Sequence, residues 1–150
     1  MPLVERSVIV PLGLEETWEA FFGNELQNWC DLSDSVVEVG DFRWRDDGTP
    51  EYVMVNKMGP LRASHRSDYV VYDPPHRAED DTLESSLGGR WVTPHEPVEG
   101  GTRVTHRWDV APHGAMRVLF PLMRPGFQRG FQSDLDAMAE RIRSRLEEDR

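Results

Sequence analysis

The sequence predicts an α+β fold in which a curved, seven-stranded antiparallel sheet wraps around one long C-terminal helix. Two observations carry this prediction. First, the parts follow a particular order: a short strand, two short helices, a run of strands, then a helix at the end. Second, the last helix spaces Phe127, Phe131, Leu135, Met138, Ile142 and Leu146 by steps of four, four, three, four and four. That spacing keeps every apolar side chain on one face of a 3.6-residue helix. The apolar surface to match it has to come from the strands between. A sheet curved around a helix often leaves a cavity, so the expectation is a protein that holds a small molecule.

The first strand runs over Val4 to Val10, whose residues alternate around Val8 and Val10. Pro11-Leu12-Gly13 breaks it. Leu14, Trp18, Phe21 and Phe22 then share a helical face, and Glu15 and Glu16 stand early, where the helix dipole favours acids. Gly23-Asn24 ends that helix, since both residues tolerate left-handed backbone. A second short helix is expected from Asn24 to about Cys30, burying Leu26 and Trp29.

Val36, Val37 and Val39 mark the second strand, and Asp46-Asp47-Gly48 a turn. The third strand is Tyr52 to Lys57, and Met58-Gly59-Pro60 turns into a fourth from Leu61 to Tyr72. Asp73-Pro74-Pro75 ends it, because proline cannot donate to a ladder. Arg77 to Glu84, Gly88 to Val98 and Thr102 to Val110 complete the sheet. Glu99-Gly100-Gly101 is a hairpin turn whose glycines supply positive φ. Pro121 and Pro125 predict a kink or break, with regular helix from about Gly126 to Glu148.

The chain of 150 residues is long enough to bury a sizeable core and reads as one domain, 1–150. It has 38% apolar and 29% charged residues, mixed along its length, which is a globular composition. A formal net charge of -10 repels phosphate backbones and anionic headgroups, so nucleic-acid binding is not expected. No apolar run approaches the ~20 residues that span a bilayer, so stable membrane insertion is not expected. The N-terminus lacks the basic-then-apolar pattern of a secretion signal. The single cysteine, Cys30, cannot form an internal disulfide and reads as a small buried residue. Together these predict a cytoplasmic protein. Monomer and homodimer both remain open.

Several segments together resemble the START-related helix-grip superfamily, SRPBCC, and within it the bacterial polyketide cyclase/dehydrase-like proteins. Pro11-Leu12-Gly13-Leu14-Glu15-Glu16-Thr17-Trp18 resembles the strand-to-helix entry with its buried tryptophan. Asn28-Trp29 is similar to the end of the second helix. Val71-Tyr72-Asp73-Pro74-Pro75-His76-Arg77 resembles the family's strand-ending proline turn, and Glu99-Gly100-Gly101-Thr102-Arg103-Val104-Thr105 its final hairpin. The long C-terminal helix completes the match, which covers nearly the whole chain. The resemblance implies a helix-grip fold with a cavity for an apolar ligand. It implies a pocket more strongly than a reaction, because the superfamily includes carriers, receptors, cyclases and chaperone activators.

Strand alternation predicts which residues face that cavity. If Glu99-Gly100 is the loop, Val98 pairs with Gly101, His95 with Val104, Thr93 with His106 and Trp91 with Trp108, all on one face. Arg103, Thr105, Arg107 and Asp109 occupy the opposite, solvent face. On the fourth strand Leu61, Ala63, His65, Ser67, Tyr69 and Val71 share the inward face. The helix contributes Phe127, Phe131, Leu135 and Met138, while Met116, Leu119, Phe120 and Met123 are placed at the entrance. The expected ligand-binding residues are His65, Tyr69, Trp91, Thr93, His106, Trp108, Phe120, Phe127 and Phe131. Much of this stripe also fits plain core packing.

His65 and His106 sit on mostly apolar faces, where a polar ring needs a partner. They have three possible roles: bonding a neighbour such as Thr93, Ser67 or Tyr69, orienting a ligand's carbonyl or hydroxyl, or acting in acid–base catalysis. The catalytic candidates are His65, Tyr69 and His106. A zinc site from His65, His95 and His106 lacks ligand spacing and an acidic helper, so no metal is expected. His76 and His113 read as solvated turn residues, and Asp80, Asp81 and Glu147-Glu148-Asp149 as solvated surface. The chain has no Gly-x-Ser-x-Gly elbow, phosphate-binding glycine loop or Cys-x-x-Cys, and no cofactor is expected. The leading function is binding of a small apolar or aromatic ligand of lipid, polyketide, quinone or isoprenoid type. The alternative is a polyketide or aromatic cyclase-dehydratase. A partner-regulating domain is a third class, with no exposed apolar stripe evident to support it.

Overall fold

A computed structural model describes residues 3–23, 28–58 and 61–148. The expected start of the second helix, including Leu26, and the Gly59-Pro60 turn lie outside these residues. The elements run β1 (Leu3–Val10), α1 (Leu14–Phe22), α2 (Asn28–Leu32), β2 (Val36–Trp44), β3 (Pro50–Met58), β4 (Leu61–Asp73), β5 (Arg77–Leu83), β6 (Leu87–Val98), β7 (Gly101–Pro112) and α3 (Met116–Glu148). The seven strands form one antiparallel sheet in the order β1-β7-β6-β5-β4-β3-β2. Its curved face wraps α3, as a helix-grip fold requires.

Hairpin pairing follows the sequence expectation. Trp91 lies opposite Trp108, His95 opposite Val104, and Val98 opposite Gly101. Gly101 has φ +146°, and a Cβ there would fall 2.0 Å from the Val10 carbonyl oxygen. Only glycine lets β7 come this close to β1, whose Val10 pairs with Thr102.

Alternation fails at one point in β4. Tyr69 pairs with Asp80 and Val71 with Glu79, which leaves Val70 as an extra, bulged residue. Beyond the bulge the faces exchange. Val71, expected inward, is exposed, and Tyr72 instead packs against the core. The second strand is also longer than its valines suggested, with irregular pairing on either side of Glu38 to Gly40.

The C-terminal helix is the larger correction. It runs unbroken from Met116, with Pro121 and Pro125 inside it. The two prolines are four residues apart and share one exposed face. The carbonyls they deprive of N–H donors, those of Arg117 and Pro121, therefore face water rather than core. The same end of α3 exposes Val118 (75%) and Leu122 (80%), apolar surface that the helical spacing had not marked. No helix among the described residues is long and apolar enough to cross a membrane.

Two apolar clusters divide the interior. One joins α1 and the strands to Leu135, Met138, Ala139 and Ile142 of α3. The other joins Val4, Leu87, Trp108 and Val110 to Phe120. On the outer face of the sheet, Glu51 accepts hydrogen bonds from Arg43, Arg45 and Arg66 at 2.8–3.0 Å. These contacts hold its carboxyl down at about 2, with the Arg43 and Arg45 bonds the largest cause.

Candidate functional site

A cavity of about 530 Å³ lies between the concave face of the sheet and α3. Its volume is in the range of pockets that hold drug-sized molecules. The strands supply most of the wall, because every second side chain of β3 to β7 points inward. The α3 side is formed by Met123, Gly126, Phe127, Gly130, Phe131 and Asp134.

One wall is aromatic. The Trp91 and Trp108 rings stack at 5.0 Å with an interplanar angle of 5°. Phe131 lies 5.3 Å from Trp91, and Phe127 lies 6.1 Å from Trp108. Trp29 of α2 and Phe22 of α1 close another side. Phe120, expected to touch ligand, is fully buried behind this wall against Trp108 and Phe127, and it does not line the cavity. Leu119, placed at the entrance by its spacing, is exposed, while Met123 does line the cavity.

The floor is polar. The Tyr52 and Tyr69 hydroxyls meet at 2.6 Å, and burial pushes both phenols above their ordinary range. Beside them stands Asp80, only 7% exposed, facing the cavity rather than solvent. The reading of Asp80 as surface fails because Ala78, Asp80 and Thr82 alternate inward along β5, while Asp81 turns outward to Arg90. Burial raises the Asp80 carboxyl to about 7. The nearby Ser67 hydroxyl lowers it in part, Asp81 and Asp68 raise it further, and Arg90 lowers it slightly. No ion pair to Asp80 forms among the described residues. Inward alternation from Tyr69, its partner on β4, was the signal that could have found it.

The histidines are dispersed. His65 lines the cavity with Nδ1 at 3.4 Å from Asn56 Nδ2, and burial lowers it to about 4. His106 also lines the cavity, 5.4 Å from the Trp29 ring, and is lowered to about 3 by burial and then by His95. His95 is buried among Trp18, Phe21 and Phe22 and lies outside the cavity lining. Of the three roles open to His65 and His106, bonding to Thr93, Ser67 or Tyr69 is not seen among the described residues. Tyr69 uses Tyr52, and His65 meets Asn56. No three metal-binding side chains converge among the described residues.

Five residues that line the cavity each carry a buried polar atom with no well-formed hydrogen bond among the described residues: Trp29 Nε1, Trp108 Nε1, Ser67 Oγ, Thr82 Oγ1 and His106 Nε2. Asp134 is different. It accepts from Ser33 Oγ at 2.7 Å, Ser35 Oγ at 3.1 Å and the Asp34 amide at 3.0 Å, which fastens α3 to the α2–β2 corner.

Comparison with known proteins agrees with the fold. A family model described as polyketide cyclase/dehydrase and lipid transport matches residues 1–146. No curated protein matches the sequence. Among solved structures, the fold is similar to TTHA0849 from Thermus thermophilus, with a TM-score of 0.79, 16% identity, and coverage of 95% of this chain and 98% of that one. It is similar to the Zhui aromatase/cyclase from a Streptomyces species, with a TM-score of 0.75, 14% identity, and coverage of 97% and 95%. A START superfamily protein from Mycobacterium smegmatis gives a TM-score of 0.71 at 12% identity, covering 99% of each chain. At these identities the likeness is one of fold.

Proposed function

The chain belongs to the polyketide cyclase/dehydrase and lipid transport family, and from that premise we propose that it binds a small, largely apolar or aromatic molecule in the cavity between sheet and α3. One observation carries this reading. The cavity has a stacked aromatic wall, and five of its lining residues carry a buried polar atom without a well-formed hydrogen bond among the described residues. Leaving such an atom unpaired costs about 1–3 kcal/mol, and folded proteins carry few of them. A ligand with an apolar body and a few hydrogen-bonding groups satisfies both features. In this reading Trp91, Trp108, Phe127 and Phe131 grip the body. His65, Tyr69, Thr93 and His106 orient its polar groups.

A cyclase-dehydratase using His65, Tyr69 and His106 as acid and base is less well supported. An efficient acid–base group titrates near the working pH. His65 and His106 are held at about 4 and about 3, and Tyr69 is pushed above its ordinary range. No hydrogen bond joins the three among the described residues.

Native mass spectrometry of freshly purified protein, compared with the denatured mass, tests the binding reading. The expected result is a retained extra mass that denaturation releases and that Trp91→Ala or Phe131→Ala weakens. An unliganded mass, together with no binding of the neutral dye Nile red, would sink it.

A further inference from the structure

We propose that the cavity selects an organic cation, an amine carried on an apolar or aromatic body, with its ammonium group held against Asp80. This rests on the binding reading above and names the chemical class of the ligand.

The sheet register assembles the groups that would hold it. On the inward face of β4 and β5, Ser67 lies opposite Thr82, and the next inward pair is Tyr69 opposite Asp80. On its other side Asp80 lies opposite Trp91. All five residues line the cavity. A carboxyl group is thus flanked by two aromatic rings, with two hydroxyls one inward step along the strands. Ser67 Oγ and Thr82 Oγ1 are both buried without a well-formed hydrogen bond among the described residues.

A primary ammonium group has three donors and no acceptor. The carboxylate supplies the charged acceptor, and the two hydroxyls stand one inward step away as further acceptors. The neighbouring rings add attraction for a cation lying over their faces. An unpaired buried carboxylate is costly, and pairing it with a hydrogen-bonded cation removes that cost.

Charge argues against the opposite class of ligand. Among the described residues that line the cavity, Lys57 is the only cation and none is an arginine. The arginines that pair with acids around this part of the sheet, Arg43, Arg45, Arg66 and Arg90, do so on its outer face. An anionic ligand would meet Asp80 and Asp134 within a chain of formal net charge -10.

Binding of an amine should also strengthen between about pH 6 and pH 8, as the Asp80 carboxyl, raised to about 7, loses its proton. The histidines and phenols that line the cavity keep one protonation state over that window. His65 and His106 are neutral, held at about 4 and about 3, and the Tyr52 and Tyr69 phenols remain protonated. Asp134 is bonded to Ser33 and Ser35, Lys57 is exposed, and Asp68, Asp81 and Arg90 act on Asp80 from the far side of the sheet.

The test is calorimetric titration with three probes of one shape: naphthylethylamine, naphthylethanol and naphthylacetate. Nile red binding serves as an independent check of the cavity. At about pH 8 the amine should bind at least about tenfold more tightly than the alcohol, and the carboxylate most weakly. Asp80→Asn should erase the preference for the amine and spare the alcohol. Thr82→Val, which keeps the shape of the wall, should weaken the amine alone, and it serves if Asp80→Asn fails to fold. If Nile red binds but the amine binds no better than the alcohol, or if both substitutions leave the order unchanged, the proposal is overturned and the cavity reading stands. If neither Nile red nor any probe binds, the cavity reading fails and takes this proposal with it.

Discussion

The hydroxyls of Tyr52 and Tyr69 lie 2.6 Å apart at the floor of the cavity, joining β3 to β4 through their side chains. Both residues are buried, so each oxygen takes the other as its main partner. Tyr52→Phe should therefore destabilise the fold by about 1–3 kcal/mol, because it strands the Tyr69 hydroxyl. Adding Tyr69→Phe should cost less than a second such step, since the pair is then removed together. Urea denaturation of the two single variants and the double variant measures this. Additive losses would show that the hydroxyls do not depend on one another.

Asp80 gives the protein a pH dependence unusual for a carboxylate. The folded chain holds this proton up to about pH 7, while the unfolded chain releases it near 3.8. Its contribution is thus fully present below the lower value and is lost as pH rises to the upper one. A shift of that size corresponds to on the order of 4 kcal/mol. Asp80→Asn should be more stable than the parent at about pH 8 and lose that advantage by about pH 4. Melting curves across this range check it, and an advantage independent of pH would refute the assignment.

The buried histidines act in the opposite direction. Burial holds His65 and His95 at about 4 and His106 at about 3, below the ordinary 6.5. Their neutral forms fit the folded state. Stability is complete above the unfolded value and falls as pH drops from 6.5 toward 4, where the unfolded chain takes up the protons. His106→Phe should shrink this acid-side loss. In Asp80→Asn the loss should become steeper, because the opposing carboxyl is gone.

Glu51 fixes a third feature of the pH profile. With Arg43, Arg45 and Arg66 around it, its carboxyl is held at about 2 rather than 4.5. That stabilisation is present above the ordinary value and is lost as pH falls toward 2. Glu51→Gln should lower the melting temperature at neutral pH and flatten the profile in this acid window. Its effect should shrink in high salt, because part of the site is open to solvent.

Much of this architecture was legible because it rests on periodicity. The α3 stripe, the Trp91–Trp108 pairing and the inward positions of His65, Tyr69 and His106 all follow from residue spacing. Three features escaped, each for its own physical reason. The bulge at Val70 adds one residue to a strand that looks regular, and it exchanges Val71 for Tyr72. Asp80 sits beside Asp81, so local charge suggested a solvated pair, although strand geometry sends the two to opposite faces. Pro121 and Pro125 read as a break, yet their placement on a single exposed face lets the helix continue.

Those prolines also bear on how a molecule enters. The α3 residues that line the cavity from Met123 to Phe131, ahead of the fastened Asp134, lie in or just beyond the stretch where Pro121 and Pro125 withhold two backbone donors and Gly126 and Gly130 weaken helical preference. The later turns, which carry Leu135, Met138 and Ile142, are locked into the core. The helix is thus pliable where it covers the cavity and firm where it anchors the sheet. Entry and exit should then follow local fraying of that one wall, with the rest of the fold intact. Amide exchange should be faster over residues 117–131 than over 135–146, and a bound ligand should slow the first stretch selectively.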